Sequence, residues 1–366
     1  MPTSTAAVLR EKGGGFHIEG VSVEIPRATE VLVGIAATGI CHTDLLVRKG
    51  LMPPAPPAIL GHEGSGVVES VGDAVTSVAP GDHVVLAPAS CGRCPNCATG
   101  HPMHCRTFLG LNLRGRRADG TSAYRDSDGE VLAGHFFGQS AFSGMVVAEE
   151  RSVVKVRQDA PLELLGPLGC GLQTGAGAVL NVLAPAPAAS IAVFGAGAVG
   201  LAAVMAAHLV GCAEIIVIDR NARRLGVAAD LGATRVIDVD GVADVTKEII
   251  ELTGGGVDYS VDAVGLPETV RNSVGVLNVG GATAIVGSAG TGQQVSLDIQ
   301  HLFGRSLRGV VEGDSVPSVF IPRLVELVLS GRFPVDKLVT RYRFDEIDRA
   351  VEDLAEGTVI KPVLVR

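Results

Sequence analysis

The residues of this chain whose types and spacing could do chemistry are first of all its seven cysteines, Cys41, Cys91, Cys94, Cys97, Cys105, Cys170 and Cys212. Four of them crowd one stretch: Cys91-Gly-Arg-Cys94-Pro-Asn-Cys97 is followed, after seven residues, by Cys105. Two short turns can bring four thiolates to the corners of a tetrahedron, which closes round a zinc ion and leaves no position for a substrate. Glycine and proline between the ligands favour those bends. Reduced surface thiols give no reason for this spacing, and an iron–sulfur cluster competes poorly because no second cysteine cluster accompanies it. The expectation is a structural zinc that pins a loop with little core of its own. His101 and His104, in the same loop, read as solvated histidines or spare ligands.

A second set is scattered. Cys41 stands in Gly39-Ile40-Cys41-His42-Thr43-Asp44, His62 and Glu63 in Gly61-His62-Glu63-Gly64, and Cys170 in Gly169-Cys170-Gly171-Leu172-Gln173-Thr174-Gly175. Taken singly, each reads as core or surface at least as readily as ligand. Spacing alone does not bring the three places together.

The elements that position these residues fall into two styles. From Ser190 the chain reads strand (Ser190 to Phe194), then Gly195-Ala-Gly197-Ala-Val199-Gly200, then helix (Leu201 to Val210), then strand (Glu214 to Asp219). Gly195 permits the tight turn, Gly197 lets a pyrophosphate approach the backbone, and Gly200 allows close packing of helix on strand. The helix start offers N–H groups to phosphate, and Asp219 would accept hydrogen bonds from the adenosine ribose. That acid favours NAD over NADP, although Arg220, Arg223 and Arg224 could pair with a ribose phosphate. Further strands over Thr234 to Val239, Asp258 to Ala263 and Gly281 to Val286 alternate with helices, which predicts a doubly wound parallel sheet of Rossmann type. The chain before it is rich in short strands, glycine and proline and reads as a separate, mostly β domain. After Pro317 a helix (Ile321 to Leu329) and a last strand (Pro362 to Val365) remain.

Composition bounds the function. The chain has 366 residues, 47% hydrophobic and 19% charged, which excludes long disorder and argues for two or three domains. A net charge of −9 disfavours a nucleic-acid partner, and 4% aromatics with no Trp leaves few platforms for stacking bases. The uncharged run from Ile191 to Ala207 reads as a buried strand entering a buried helix rather than a membrane span. The start, MPTSTAAVLREKGG, lacks the apolar core of a signal peptide, so a cytoplasmic protein is expected.

These pieces resemble the zinc-dependent medium-chain alcohol dehydrogenases, and among them the aryl-alcohol (benzyl-alcohol) dehydrogenases. The carriers are GICHTD at 39–44, GHEGSG at 61–66, the cysteine cluster at 91–105, CGLQTG at 170–175, GAGAVG at 195–200 and Asp219. The resemblance implies an α/β fold: a GroES-like, mostly β catalytic domain (1–171 and 313–366, with the zinc lobe at 91–105) interrupted by an inserted Rossmann domain (172–312). It implies Cys41, His62 and Cys170 as ligands of a catalytic zinc, and Cys91, Cys94, Cys97 and Cys105 as those of a structural zinc. Two zinc ions per chain follow. Asp44 would orient the ligating histidine, Glu63 would approach the metal during ligand exchange, and Thr43 would contact the substrate oxygen. Thr174, Val286 and Lys361 would contact the cofactor, Lys361 at the pyrophosphate, with His42 a candidate for the same group. Where the family carries a proton-relay histidine stands Leu46, so the proton must leave by another route.

The activity implied is reversible hydride transfer from a primary alcohol to NAD, giving the aldehyde. Ala87, small at a pocket-wall position, and Phe136 and Phe137, in His135-Phe-Phe-Gly-Gln-Ser-Ala-Phe142, would suit an aromatic or other apolar alcohol. The Phe pair could equally be core packing. The rival readings are a thiol-dependent formaldehyde dehydrogenase of the same family and a non-catalytic NAD(H)-binding zinc protein. Cys170 argues against the polyol dehydrogenases, which commonly carry an acid there. A homo-oligomer, dimer or tetramer, completes the expectation.

Overall fold

Valine-rich runs broken by glycine and proline fold here as short strands, as a period of two with turn residues between predicts. In the structure, a computed structural model that describes residues 1–290 and 292–366, the first unit holds Met1–Cys170, Val316–Ser330 and Leu338–Arg366. Its strands are β1 (Thr3–Leu9), β2 (Phe16–Val23), β3 (Glu30–Gly39), β4 (Ala58–Ile59), β5 (Gly64–Val71), β6 (His83–Leu86), β7 (Tyr124–Arg125), β8 (Met145–Glu149) and β9 (Val153–Lys155). Short helices lie among them: α1 (His42–Arg48), α2 (Pro95–Ala98), α3 (Phe108–Asn112) and α4 (Leu162–Leu165).

The second unit, Gly171–Ser315 with Gly331–Lys337, opens on α5 (Gly171–Gly177). It then alternates β10 (Ser190–Phe194), α6 (Ala198–Val210), β11 (Glu214–Asp219), α7 (Ala222–Asp230), β12 (Arg235–Asp238), α8 (Val245–Thr253), β13 (Val257–Asp262), α9 (Pro267–Gly275), β14 (Leu277–Ile285) and β15 (Ser306–Gly309). All neighbouring strands are parallel, in the order β12-β11-β10-β13-β14-β15. A parallel sheet needs helical crossovers that cover its faces. Accordingly Ile191, Ala192 and Val193 of β10 are buried, and so is α6 from Gly200 to Ala207. This is the doubly wound α/β sheet that the strand–helix alternation predicts.

The chain then returns to the first unit with α10 (Pro317–Leu329), β16 (Val339–Arg343), α11 (Ile347–Glu356) and β17 (Lys361–Val365). Pairing of β17 with β3 inserts the last strand into a seven-stranded sheet, β16-β17-β3-β5-β6-β9 with β8 also on β3, and a four-stranded sheet β4-β1-β2-β7 completes the unit. A GroES-like mostly β unit and a Rossmann unit are thus the two halves of the fold.

The boundaries correct the sequence estimate at the second crossing. The segment after 312 does not return at once to the first unit, because Glu312 accepts hydrogen bonds from the Gln173 amide (3.2 Å) and the Thr174 hydroxyl (3.2 Å) of α5, and Ser315 donates to Gln173 (2.9 Å). Residues 331–337 likewise pack with the second unit, where Lys337 donates to the Asp230 carbonyl at 3.2 Å. The helix read from Ile321 starts earlier, with Pro317 in its first turn, where a missing N–H costs nothing.

Candidate active site

Asp44 organises the first functional cluster. Cys41 is the N-cap of α1, and its N–H donates to the Asp44 carboxylate at 3.0 Å, three residues along. The other carboxylate oxygen accepts from the Gly61 N–H (3.1 Å) and lies 3.1 Å from His62 Nδ1. One buried acid therefore ties a helix start to a segment eighteen residues away and makes Nδ1 the protonated nitrogen of His62. The remaining nitrogen, Nε2, is buried and has no hydrogen-bond partner among the described residues. It points into a group in which the ligand atoms of Cys41, His62 and Cys170 all lie within 4.8 Å of one another.

A bare imidazole lone pair beside two sulfurs, in a place closed to water, is costly unless a cation sits there. The electrostatics show that the position calls for positive charge, from a proton or from a cation. Cys41 is pulled well below the usual thiol range, first by its hydrogen bond with Cys170 and then by His62. Burial opposes charge on His62, but Asp44 and Cys41 hold its pKa well above the ordinary value. Soft sulfur and imidazole donors, three in number, fit zinc with one position left over.

Glu63 follows His62 and is fully buried. Burial raises its pKa, while Lys361 opposes that. Lys361 Nζ donates to both Glu63 oxygens (2.8 and 2.9 Å) and to the Ile40 carbonyl (3.1 Å). Gly39 makes room for this pair, since a Cβ there would run into the Glu63 carboxylate.

Aromatic rings close the other side. Phe137 stacks on the His62 imidazole, centroids 4.5 Å apart and planes 23° apart, and Phe136 meets the same ring edge-on at 5.3 Å. Phe137 adopts φ 52°, a left-handed conformation rare for a bulky residue, which turns its ring onto the imidazole. Ala87 is fully buried, with its N–H on the Ser152 carbonyl. Thr43, in the first turn of α1, has its hydroxyl 3.8 Å from the Cys41 sulfur. His42 lies exposed on α1 and Leu46 half-buried on it.

The second cluster joins the sulfurs of Cys91, Cys94, Cys97 and Cys105, again all within 4.8 Å. Backbone N–H groups point at the sulfurs: that of Cys91 at Cys105 and that of Cys94 at Cys91, both 3.3 Å. N–H groups of Arg93 and Cys94 pull the Cys91 thiol down to about 6, whereas burial and the neighbouring thiols push Cys97 up to about 12. Four sulfurs this close cannot all ionise without a compensating cation, which is what a closed zinc site supplies. His101 and His104 stack on each other, 5.8 Å apart, and are not among the grouped donors. Cys212 is buried and belongs to neither cluster.

In the Rossmann unit the three glycines have three different surroundings. Gly195 has φ +96°, Gly197 has open space where a Cβ would stand, and a Cβ on Gly200 would collide with the Gly195 carbonyl. The space at Gly197 is the kind of cradle a dinucleotide pyrophosphate fills. Val199 lies in the first turn of α6. Asp219 ends β11 and accepts from the N–H groups of Ala196 (2.6 Å) and Asn221 (2.8 Å), so it also braces the glycine turn. Arg220 and Arg223 are exposed and Arg224 is half-buried beside it. Val286 follows β14, with its N–H on the Asp262 carbonyl.

Comparison with known proteins shows the family. The alcohol dehydrogenase GroES-like domain model matches residues 27–158 and the zinc-binding dehydrogenase model residues 198–330. A geraniol dehydrogenase of Castellaniella defragrans is 45% identical over 366 residues, covering 99% of this chain and 98% of that protein. The chain belongs to the zinc-dependent medium-chain alcohol dehydrogenases. Among solved structures, an alcohol dehydrogenase zinc-binding domain protein from Burkholderia ambifaria is 49% identical with TM-score 0.97, covering 100% of this chain and 99% of that one. Benzyl alcohol dehydrogenase from Acinetobacter calcoaceticus is 43% identical with TM-score 0.95 and the same coverage.

One expectation for this dehydrogenase needs correction. Lys361 does not present a free ammonium to a pyrophosphate: it is 3% exposed and committed to Glu63 and Ile40. Phe136 is fully buried, so its surface serves the imidazole edge and the core rather than open pocket wall. Sequence reasoning also missed two polar residues. Asn112 is fully buried and clamps Ala89, just before the cysteine lobe, through its carbonyl (2.8 Å) and its amide (2.9 Å). Gln139 is fully buried against the His62 segment. A polar side chain inside an apolar run was the available signal for Gln139.

Proposed function

We propose that this alcohol dehydrogenase oxidises primary alcohols whose carbinol carbon adjoins an unsaturated or aromatic carbon, reversibly and with NAD, to the aldehyde. The observation that carries the reading is the meeting of Cys41, His62 and Cys170 with the ring of Phe137 laid on the imidazole. Geraniol and benzyl alcohol, the compounds in the names of two relatives, are both alcohols of this kind. Phe137 supplies a flat apolar face of the sort that favours a planar substrate.

The parts divide the work. Zinc held by Cys41, His62 and Cys170 would supply positive charge that acidifies an alcohol hydroxyl. NAD would supply the hydride acceptor. Asp44 fixes the tautomer and the plane of His62, so that Nε2 faces the metal position. The Thr43 hydroxyl is the side-chain group beside Cys41 that can take and pass on the alcohol proton, and with Leu46 following, that proton leaves through water or a ribose hydroxyl. Glu63 and Lys361 form a neutral pair, which keeps a second negative charge away from the two thiolates. Asp219 selects ribose hydroxyls over a ribose phosphate by repulsion.

We further propose a homo-oligomer. The edge strand β15 is exposed throughout, and Val279, Ile299 and Phe303 are 79%, 69% and 65% exposed in the same unit. Unpaired edges with apolar neighbours are commonly covered by another chain.

The test is steady-state NADH formation by zinc-loaded protein. Benzyl alcohol and geraniol should exceed ethanol in kcat/KM by about 100-fold or more, and NAD should exceed NADP. NADH formed with formaldehyde and a thiol but with no primary alcohol would overturn the proposal.

A further inference from the structure

The segment that carries His62, between β4 and β5, is gripped along its length by a strap at 139–142. The Ile59 carbonyl accepts from the Ser140 hydroxyl (2.6 Å), that of Leu60 from the Phe142 N–H (2.9 Å) and that of Gly61 from the Ala141 N–H (2.8 Å). At His62 the main-chain ladder stops, and a side chain continues it. Gln139 Nε2 donates to the His62 carbonyl at 3.0 Å, and Gln139 Oε1 accepts from the Gly64 N–H at 3.1 Å. The residue is 0% exposed. It is held in turn by its own N–H on the Phe136 carbonyl (3.1 Å). The same strap carries Phe137, stacked on the imidazole.

We propose that Gln139 is a positioning residue for the catalytic metal, acting through the main chain of His62. Asp44 fixes the ring of His62 and Phe137 covers its face, but neither holds the peptide on which the ring stands. Gln139 does, and it needs a donor and an acceptor at once to do so. An amide offers both, an ionised carboxylate has no donor, and a thioether has no donor and only a weak acceptor. Without the clamp, the unpaired His62 carbonyl and Gly64 N–H are free to shift, and Nε2 moves relative to the two sulfurs. Partners of this indirect kind commonly change metal affinity by about 10–100-fold.

The inference rests on the reading of Cys41, His62 and Cys170 as a metal site, and the test separates the two. Zinc-loaded wild type, Gln139→Met, Gln139→Glu and Ser65→Ala are mixed with excess chromogenic chelator, and zinc release is followed in time. Cys41→Ala identifies which phase belongs to the catalytic site. Ser65→Ala is the structural control, since Ser65 stands three residues past His62, in β5, and its buried hydroxyl donates to the Leu162 carbonyl of α4 and the Ala37 carbonyl of β3. The expected result is that one phase quickens about tenfold or more in both Gln139 variants, and that the cobalt-substituted variants show shifted ligand-field bands. The phase of the four-cysteine site should stay unchanged, and Ser65→Ala should lower the melting temperature while leaving both phases as they are. Wild type with a single releasable zinc would remove the metal-site reading itself. Unchanged release and spectra in folded Gln139 variants, equal effects in Ser65→Ala, or failure of both Gln139 variants to fold would each overturn the positioning role.

Discussion

The phenyl ring of Phe137 and the imidazole of His62 lie nearly parallel with centroids 4.5 Å apart, and Phe137 holds a left-handed backbone, φ 52°, to put it there. Such a conformation costs of order 1 kcal/mol or more for a non-glycine residue, so replacement by glycine relieves strain while deleting the ring. Phe137→Gly should lower kcat/KM for benzyl alcohol about tenfold or more and change the melting temperature little. Phe136→Ala, which empties a fully buried site, should instead cost about 3–5 kcal/mol of stability. Kinetics and thermal melts on the two variants check the contrast. Equal losses of stability would make both rings plain core.

The two cysteine clusters should fail differently. Cys41→Ala or Cys170→Ala should abolish turnover and remove one zinc, yet leave the fold and NADH binding in place. Cys97→Ala should remove the other zinc and lower the melting temperature, because the lobe from 91 to 105 has few buried residues besides Met103 and Cys105. Metal analysis with melting curves reads both, and a Cys97 variant with wild-type melting would remove the structural role.

Asp219 makes two backbone hydrogen bonds, and the proposed function gives it the ribose of the cofactor as a further partner. Asp219→Ala should therefore raise KM for NAD and narrow the preference over NADP, at roughly 1–3 kcal/mol of local destabilisation from the lost bonds to Ala196 and Asn221. Asp219→Asn, which retains an acceptor, should recover the loop but not the cofactor preference. An unchanged NAD to NADP ratio in both variants would place the discrimination elsewhere.

What the sequence made legible follows from the range of the interaction. The glycine turn between β10 and α6 and the four-cysteine lobe are local: the residues that meet are close in the chain, so spacing encodes geometry. The central strands β10 and β11 were readable because each is a nearly unbroken apolar run, whereas β15, Ser306–Gly309, is exposed throughout, carries no such run and was not read. Lys361 and Glu63 are 298 residues apart, and no local pattern announces their contact. The Cys41, His62 and Cys170 set was reached through family resemblance rather than spacing, for the same reason. Gln139 stands out as a polar side chain in an apolar run, but its partners were hidden, because they lie on a segment 75–77 residues upstream. The turn at Glu312 was missed because two non-glycine residues with positive φ, Glu312 and Asp314, are held there by partners outside the turn, Glu312 by Gln173 and Thr174 of α5 and Asp314 by Arg308.

The Glu63–Lys361 pair is almost wholly buried, 0% and 4% exposed at the side chains. Breaking one partner strands the other charge, which typically costs about 3–5 kcal/mol. Lys361→Met should destabilise by about that amount, and adding Glu63→Gln should restore much of it, since the uncompensated carboxylate is gone. A double-mutant cycle by urea unfolding measures the coupling. Additive losses would mean that the pair is not coupled in the folded protein.

His135 gives the fold a sensitivity to mild acid. Burial, then the positive charges of Arg117 and Arg27, push its pKa down from 6.5 to about 3, and its Nε2 accepts the Ala123 N–H at 3.1 Å, so the folded protein keeps it neutral. In the unfolded chain it titrates at its ordinary value. Between those values the unfolded state binds a proton that the folded state refuses, so stability is intact above pH 6.5 and falls as pH drops toward 3. At 1.36 kcal/mol per unit this amounts to about 2 kcal/mol lost by pH 5 and about 4–5 kcal/mol in full. Carboxylates with lowered pKa, such as Asp82 and Asp126, lose their contribution further into acid, while Glu63, Glu149 and Asp262, whose pKa is raised, act the same way in wild type and variant, so the difference between the two proteins from pH 6.5 to 5 isolates the histidine. His135→Gln retains an acceptor for Ala123 and removes the titration. Its melting temperature should fall less than that of wild type across this window, and parallel profiles would show that His135 is protonated in the folded protein after all.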